Sequence, residues 1–149
     1  MLDNLLIAII SAAIALWLKE FAEKRKSENR TRSLAILCVK HLKMIQSDLE
    51  DHLEIRNGAV RFNETNYCEL VVGEFLYDLF TTNIDLFSDV RRIERTVNFF
   101  HHYKINMATV KARLDAHQGN IASITEGTYN NLCNYLREAI EELEEIAGT

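Results

Sequence analysis

The chain has 149 residues, no proline, and a formal net charge of −5 at pH 7. That length accommodates one folded domain besides an N-terminal segment and leaves no room for a second. The acidic balance excludes a polycation that seeks nucleic acid through bulk charge. Without proline, and with Gly58, Gly73, Gly119, Gly127 and Gly148 mostly between periodic stretches, the sequence predicts long uninterrupted helices and an all-α class. Cys38, Cys68 and Cys133 are far apart and sit beside apolar residues, the pattern of buried free thiols in a reducing compartment.

The first element is the run LLIAIISAAIALWL, Leu5 to Leu18, followed by KEFAEKRK. Asp3 precedes the apolar stretch and Lys19, Lys24, Arg25, Lys26, Arg30 and Arg32 follow it, the reverse of a cleavable signal peptide. The uncharged core is roughly 21 Å of helix, short of the roughly 30 Å hydrocarbon layer. Counted from Met1 to Ala22, with Lys19 snorkelling and Trp17 and Phe21 at the interface, it reaches about 33 Å. No polar face interrupts the run, which favours a spanning helix over a buried or interfacial one. The one-sided basic cluster predicts a single-pass inner (cytoplasmic) membrane placement, N-terminus outside and the remainder cytoplasmic. Residues 1–32 are then a transmembrane helix with a charged extension, bending near Thr31 or Ser33, and residues 33–149 a cytosolic four-helix, bundle-like domain.

At about 100° per residue, Asn4, Ala8, Ser11, Ala12, Ala15 and Lys19 share one face of this helix, and Leu6, Ile7, Ile10, Ile14 and Trp17 the other. Small residues four apart allow close helix approach, so self-association is expected. Asn4, Ser11 and Lys19 on that stripe also suit the lining of an aqueous pore in an oligomer. Packing and pore lining both remain open.

Leu34, Cys38, Leu42, Ile45, Leu49 and Leu53 predict a second helix that stops at Asn57-Gly58. A loop, AVRFNET, leads to a third marked by Tyr67, Leu70, Val71, Phe75 and Leu79, ending near Thr81-Thr82. The fourth carries a seam of Val90, Ile93, Val97, Phe100, Lys104, Met107, Lys111 and Leu114, and closes at Gly119. Lysines at two seam positions favour a bundle spine over an isolated coiled coil. Tyr129, Leu132, Cys133, Leu136, Ile140, Leu143 and Ile146 define the last helix, with Glu138, Glu141, Glu142, Glu144 and Glu145 on a solvated face.

Opposite the seam of the fourth helix, Arg91, Arg95, Asn98, His102, Thr109 and Arg113 fall in line. Three guanidiniums with amide and imidazole donors suit an anionic ligand, a nucleotide or oligonucleotide being the candidate. The competing reading is a solvated face paired with the acidic last helix. His101 and His102 point to different faces, no metal-ligand spacing occurs, and phosphate loops, nucleophile elbows and triad spacings are absent. No metal, no cofactor and no enzymatic activity are expected.

In outline, a short N-terminal span LLIAIISAAIALWL, then KEFAEKRK, then a helical domain resembles the small single-span membrane effectors of bacterial nucleotide-signalled antiphage defence systems. The resemblance covers the whole chain and implies a homo-oligomer, with a tetramer as the candidate copy number. In such an effector the cytosolic domain senses a nucleotide ligand and the spans, embedded in membrane lipid, form a pore. The alternatives are a non-conducting membrane-anchored adaptor that recruits a protein partner, and a bundle whose first helix is buried as a subunit interface.

Overall fold

The computed structural model describes residues 2–51, 54–63, 67, 72–87, 90–116 and 121–148; the side chains of 2–13, 51, 54, 72–74 and 90 lie outside the description. The first element, α1, is a continuous helix from Leu2 to Asp51, about 75 Å long at 1.5 Å per residue. The helix runs without interruption through Thr31 and Ser33, where a bend is expected from the sequence. With neither proline nor glycine in this stretch, the i→i−4 ladder has no residue at which to open.

The two halves of α1 have different surroundings. Leu34, Ala35, Cys38, Val39, Leu42, Ile45 and Leu49 recur at three- and four-residue steps and are buried. They pack against the last helix and, less extensively, against the short helix of the middle segment. From Ile14 to Ser33 no side chain is buried and only Thr31 is half-buried. This half is an arm of about 30 Å projecting from the domain.

After α1 the chain does not continue in helices. Strands β1 (Glu54–Arg56) and β2 (Ala59–Phe62) form an antiparallel hairpin. Asn57 and Gly58 both have positive φ, 53° and 72°, the conformation of a two-residue type I′ turn. The stretch expected as a helix stop and a loop is therefore a hairpin; the expected all-α class holds in outline, the fold being mostly helical with one small three-stranded sheet added. Strand β3 (Ala122–Thr125) completes it in the order β1-β2-β3, pairing Val60 with Ile124 and Phe62 with Ala122. These four are buried while their neighbours Ala59, Arg61 and Ser123 are half-buried, so one face of the sheet joins the core.

Between β2 and β3 lie α2 (Val72–Thr82), two 3-10 turns (Ile84–Leu86 and Val90–Ile93) and α3 (Glu94–Ala116). The last element is α4 (Glu126–Ala147). Leu76 and Phe80 of α2 are buried and Phe75, expected inside, is exposed. Leu53, Cys68, Leu70, Val71 and Gly119 lie outside the described residues. The buried stripe begins at Ile93 of the preceding 3-10 turn and continues along α3 through Thr96, Phe99, Phe100, Tyr103, Met107, Val110 and Leu114. The expected seam holds at Ile93, Phe100, Met107 and Leu114, which are buried, and departs at Val97, Lys104 and Lys111, which are exposed; Lys104 lays its ammonium 4.6 Å from the centre of the Tyr77 ring. Phe80, Phe87, Phe99, Phe100 and Tyr103 form a connected aromatic core with ring centroids 5.1 to 5.6 Å apart.

Helix α4 follows its predicted stripe. Leu132, Leu136, Ile140 and Leu143 are buried, Thr125 caps the start by accepting from the Thr128 N–H at 3.2 Å, and Gly148 ends it in the left-handed region at φ 70°. The Tyr129 hydroxyl donates to the Leu49 carbonyl at 2.9 Å, tying α4 to the buried end of α1.

Cys38 and Cys133 are free thiols. Burial pushes the Cys38 thiol up from 9.0 to about 11. Because the folded value lies above the unfolded one, the neutral thiol's contribution to stability is complete below pH 9 and is lost as pH rises through 11. Urea midpoints should fall across that interval, and the fall should be shallower in Cys38→Ala than in the parent. At the turn, the space that a Cβ on Gly58 would occupy is open, so Gly58→Ala should destabilise only through the left-handed backbone, by about 1 kcal/mol in urea unfolding.

Candidate functional site

Several charged groups converge where α3 begins. There the 3-10 turn Val90–Ile93 gives way to α-helix and the first N–H groups lack carbonyl partners one turn back. Glu142 of α4 supplies the acceptors. Its carboxylate accepts from the backbone N–H of Arg95 at 3.1 Å, from that of Thr96 at 2.8 Å, and from the Thr96 hydroxyl at 2.7 Å. Glu142 is only 8% exposed, so its place on a solvated acidic face is corrected. A negative charge at a helix N-terminus, fully hydrogen-bonded, is a favourable way to bury a carboxylate.

This cap positions the start of the expected ligand stripe. Arg91 and Arg95, together with Arg92, line a recess of about 370 Å³ that also receives Glu94, Glu142, Glu145 and Ile146. The guanidiniums here face three carboxylates, so the recess carries little net charge. Further along, Asn98 is exposed and His102 stacks on Tyr135 of α4, ring centroids 4.5 Å apart and planes at 12°. The Thr109 hydroxyl donates to the Ile105 carbonyl of its own helix at 2.9 Å, and Arg113 donates to the Ser123 carbonyl on β3. From Arg91 to Arg113 is about 33 Å of helix. The stripe's members are thus distributed along α3, and only Arg91 and Arg95 share one recess.

A second basic region, which the sequence pattern does not mark as a ligand site, surrounds the root of the arm. Lys24 and Arg32 of α1 and Arg92 border a cavity of about 410 Å³ with Ser27, Glu28, Thr31, Leu86, Phe87 and Ile146. Two hydrogen bonds fasten α1 there. The Thr31 hydroxyl donates to the Leu86 carbonyl at 2.7 Å, and Arg32 Nε donates to the Ala147 carbonyl at 2.7 Å, satisfying the C-terminal end of α4. The one usable signal in the sequence is Thr31-Arg32, two polar residues directly before the buried stripe that starts at Leu34.

The arm itself corrects the expected localisation. Among the described residues no helix is long and apolar enough to cross a membrane. The uncharged apolar run Leu5 to Leu18 amounts to about 21 Å of helix against the roughly 30 Å of a bilayer core, and Lys19, Glu20, Glu23 and Lys24 follow within two turns. The single-pass inner-membrane placement is therefore set aside. Of the residues assigned to pore lining or span packing, Ala15 and Lys19 are exposed, and the side chains of Asn4, Ala8, Ser11 and Ala12 lie outside the described residues.

Among the described residues no group of three or more His, Cys, Asp or Glu side chains could hold a metal ion. Cys133 is half-buried, and its thiol is raised from 9.0 chiefly by burial; Tyr129 beside it is raised too, again chiefly by burial. Comparison with protein-family models, with curated proteins and with solved structures gave no match.

Glu142→Ala should destabilise the fold by about 3 kcal/mol, because three donors lose their acceptor in a buried site. Glu142→Gln keeps a carbonyl oxygen there and should lose less than half as much. Guanidinium unfolding of the two variants beside the parent measures both, and equal small losses would mean that the cap contributes little.

Proposed function

We propose that this chain is a homo-oligomeric helical assembly protein that works by binding rather than by catalysis, and that the α1 arm is its assembly element. The observation that carries this reading is the exposure of Ile14, Leu16, Trp17, Leu18 and Phe21, each more than half open to solvent on one unbroken helix. The same helix buries Leu34, Ala35, Cys38, Leu42, Ile45 and Leu49 further along, so the domain is not short of core. Contiguous large apolar side chains on a rigid projection favour association.

The spacing points to other arms as the partner. Ile7, Ile10, Ile14, Trp17 and Phe21 repeat at alternating three- and four-residue steps, with Leu18 flanking, which is a heptad seam. Isoleucine at both core positions of a heptad favours three- and four-stranded coils over two-stranded ones. Leu16, on another side of the helix, would stay wet in a two-stranded pair and is covered when an arm has two neighbours. A trimer or tetramer meets both conditions. Lys24 and Glu28 occupy the next seam positions, so the apolar contact ends at Phe21 and the charged root remains in water. The Trp17 and Phe21 rings, stacked at 5.6 Å, form the last apolar layer.

Light scattering on the purified full chain should give a trimer or tetramer, and Ile14→Glu combined with Phe21→Glu should give a monomer with unchanged circular dichroism melting of the domain. Both positions are exposed, so the variant tests association without touching the core. A parent chain that is monomeric at every concentration, or that floats with phosphatidylcholine vesicles and does not self-associate in their absence, would sink this reading.

A further inference from the structure

The cavity at the root of the arm has the composition of a small-ligand site. Phe87, Leu86 and Ile146 give it an apolar wall, and Phe87 is itself buried in the aromatic core, so that wall does not move freely. Lys24, Arg32 and Arg92 supply three cations from two elements that are far apart in sequence, against the single carboxylate of Glu28. This excess distinguishes it from the adjoining recess, which shares Arg92 and Ile146 but balances its arginines with Glu94, Glu142 and Glu145. Its volume, about 410 Å³, lies in the range of small-molecule pockets. The hydrogen bonds from Thr31 to Leu86 and from Arg32 Nε to Ala147 preform it. The second of them also fixes the plane of the Arg32 guanidinium while leaving its terminal nitrogens to donate elsewhere.

We propose that this cavity binds a soluble phosphate monoester with a small flat apolar body. The phosphate, carrying nearly two negative charges, sits between Lys24 and Arg92 with Arg32 behind it, and the body lies on Phe87 and Ile146. Carboxylates fit less well, because one negative charge leaves the cation excess of the site uncompensated. The ligand joins α1 to the Val90–Ile93 turn and to α4, and its binding does not require the arms to associate.

Titration calorimetry of the full chain with phenyl phosphate, and separately with inorganic phosphate, tests the site. Phenyl phosphate should bind at least tenfold more tightly, because only it uses the apolar wall. Arg92→Ala should weaken it at least tenfold, Arg91→Ala, in the adjoining recess, should leave it within about twofold, and Glu28→Gln should tighten it by removing the opposing charge. The last change is one that a purely structural role for these residues would not produce. The proposal is overturned by equal affinity for the two phosphates, by equal losses in Arg91→Ala and Arg92→Ala, or by the absence of heat at about millimolar phenyl phosphate. Capture of the chain by phosphatidate vesicles without any response to phenyl phosphate would equally overturn the assignment to a soluble ester. Running the titration on the Ile14→Glu, Phe21→Glu variant separates this outcome from failure of the assembly reading, since binding should survive loss of association.

Discussion

Helix α1 runs unbroken from the exposed arm into the core, and much of the molecule follows from that. No proline or glycine occurs between Leu2 and Asp51, so the exposed half must continue in the direction set by the buried half. Leu34, Cys38, Leu42, Ile45 and Leu49 hold that direction by packing into the core. The hydrogen bonds of Thr31 and Arg32 fix it at the point of exit. Leverage makes that point sensitive. A tilt of about 10° at Ser33 displaces Ile14 by roughly 5 Å over an arm of about 30 Å. A helix with a glycine near Thr31 would decouple the arm from the domain; this one transmits the domain's orientation to it.

The second organising feature is the way charge is sorted around α4. Glu142 turns inward to hold the start of α3, whereas Glu138, Glu141 and Glu145 remain in solvent and Glu144 is half-buried, pairing with Lys43 of α1 at 2.5 Å. The Lys43 pair is largely exposed and worth under about 1 kcal/mol. The Glu142 cap is buried and satisfies three donors, so it governs where α3 begins and therefore where Arg91, Arg92 and Arg95 stand. One inward-turned carboxylate thus decides the position of three guanidiniums. It also explains why the recess containing Arg91 and Arg95 is nearly balanced in charge while the neighbouring cavity is not.

The stripes of α1 and α4 are legible in the sequence because their buried positions are almost all aliphatic and recur without interruption. The hairpin leaves a signal that reads two ways: EIRNGAVRF has alternation on either side of Asn-Gly, the strongest short hairpin signal, but Asn-Gly also ends helices. What separates the two is the alternating Val60 and Phe62 downstream, both buried in the sheet. On α3 every second seam position, Val97, Lys104 and Lys111, falls one residue beyond the buried Thr96, Tyr103 and Val110; Thr96 is polar and yet buried through its bond to Glu142, and the Lys104 ammonium sits over the Tyr77 ring outside the core. Periodicity detects apolar atoms and is blind to a polar side chain whose partner comes from another helix. The cavity at the arm's root is hidden for the same reason, since Lys24, Arg92 and Ile146 come from separate elements and meet only through the fold.

The apolar seam and the charged root occupy consecutive turns of one helix, and this proximity has a physical consequence for an assembled arm. Phe21 is the last apolar seam residue and Lys24, one turn on, borders the cavity. When arms associate through Ile14, Trp17 and Phe21, the cations of neighbouring roots come within about one Debye length of each other, where their repulsion is only partly screened. If both proposals hold, an anion held at Lys24 and Arg92 would reduce that repulsion, and assembled arms would bind it more tightly than separate ones. By linkage the same anion must then favour assembly to the same extent, because the coupling free energy between two binding events is reciprocal. The unbroken backbone between Phe21 and Thr31 makes the coupling mechanical as well as electrostatic: a ligand that joins α1 to Arg92 also narrows the range of directions the arm can take, and fewer directions mean a smaller entropic cost when several arms align.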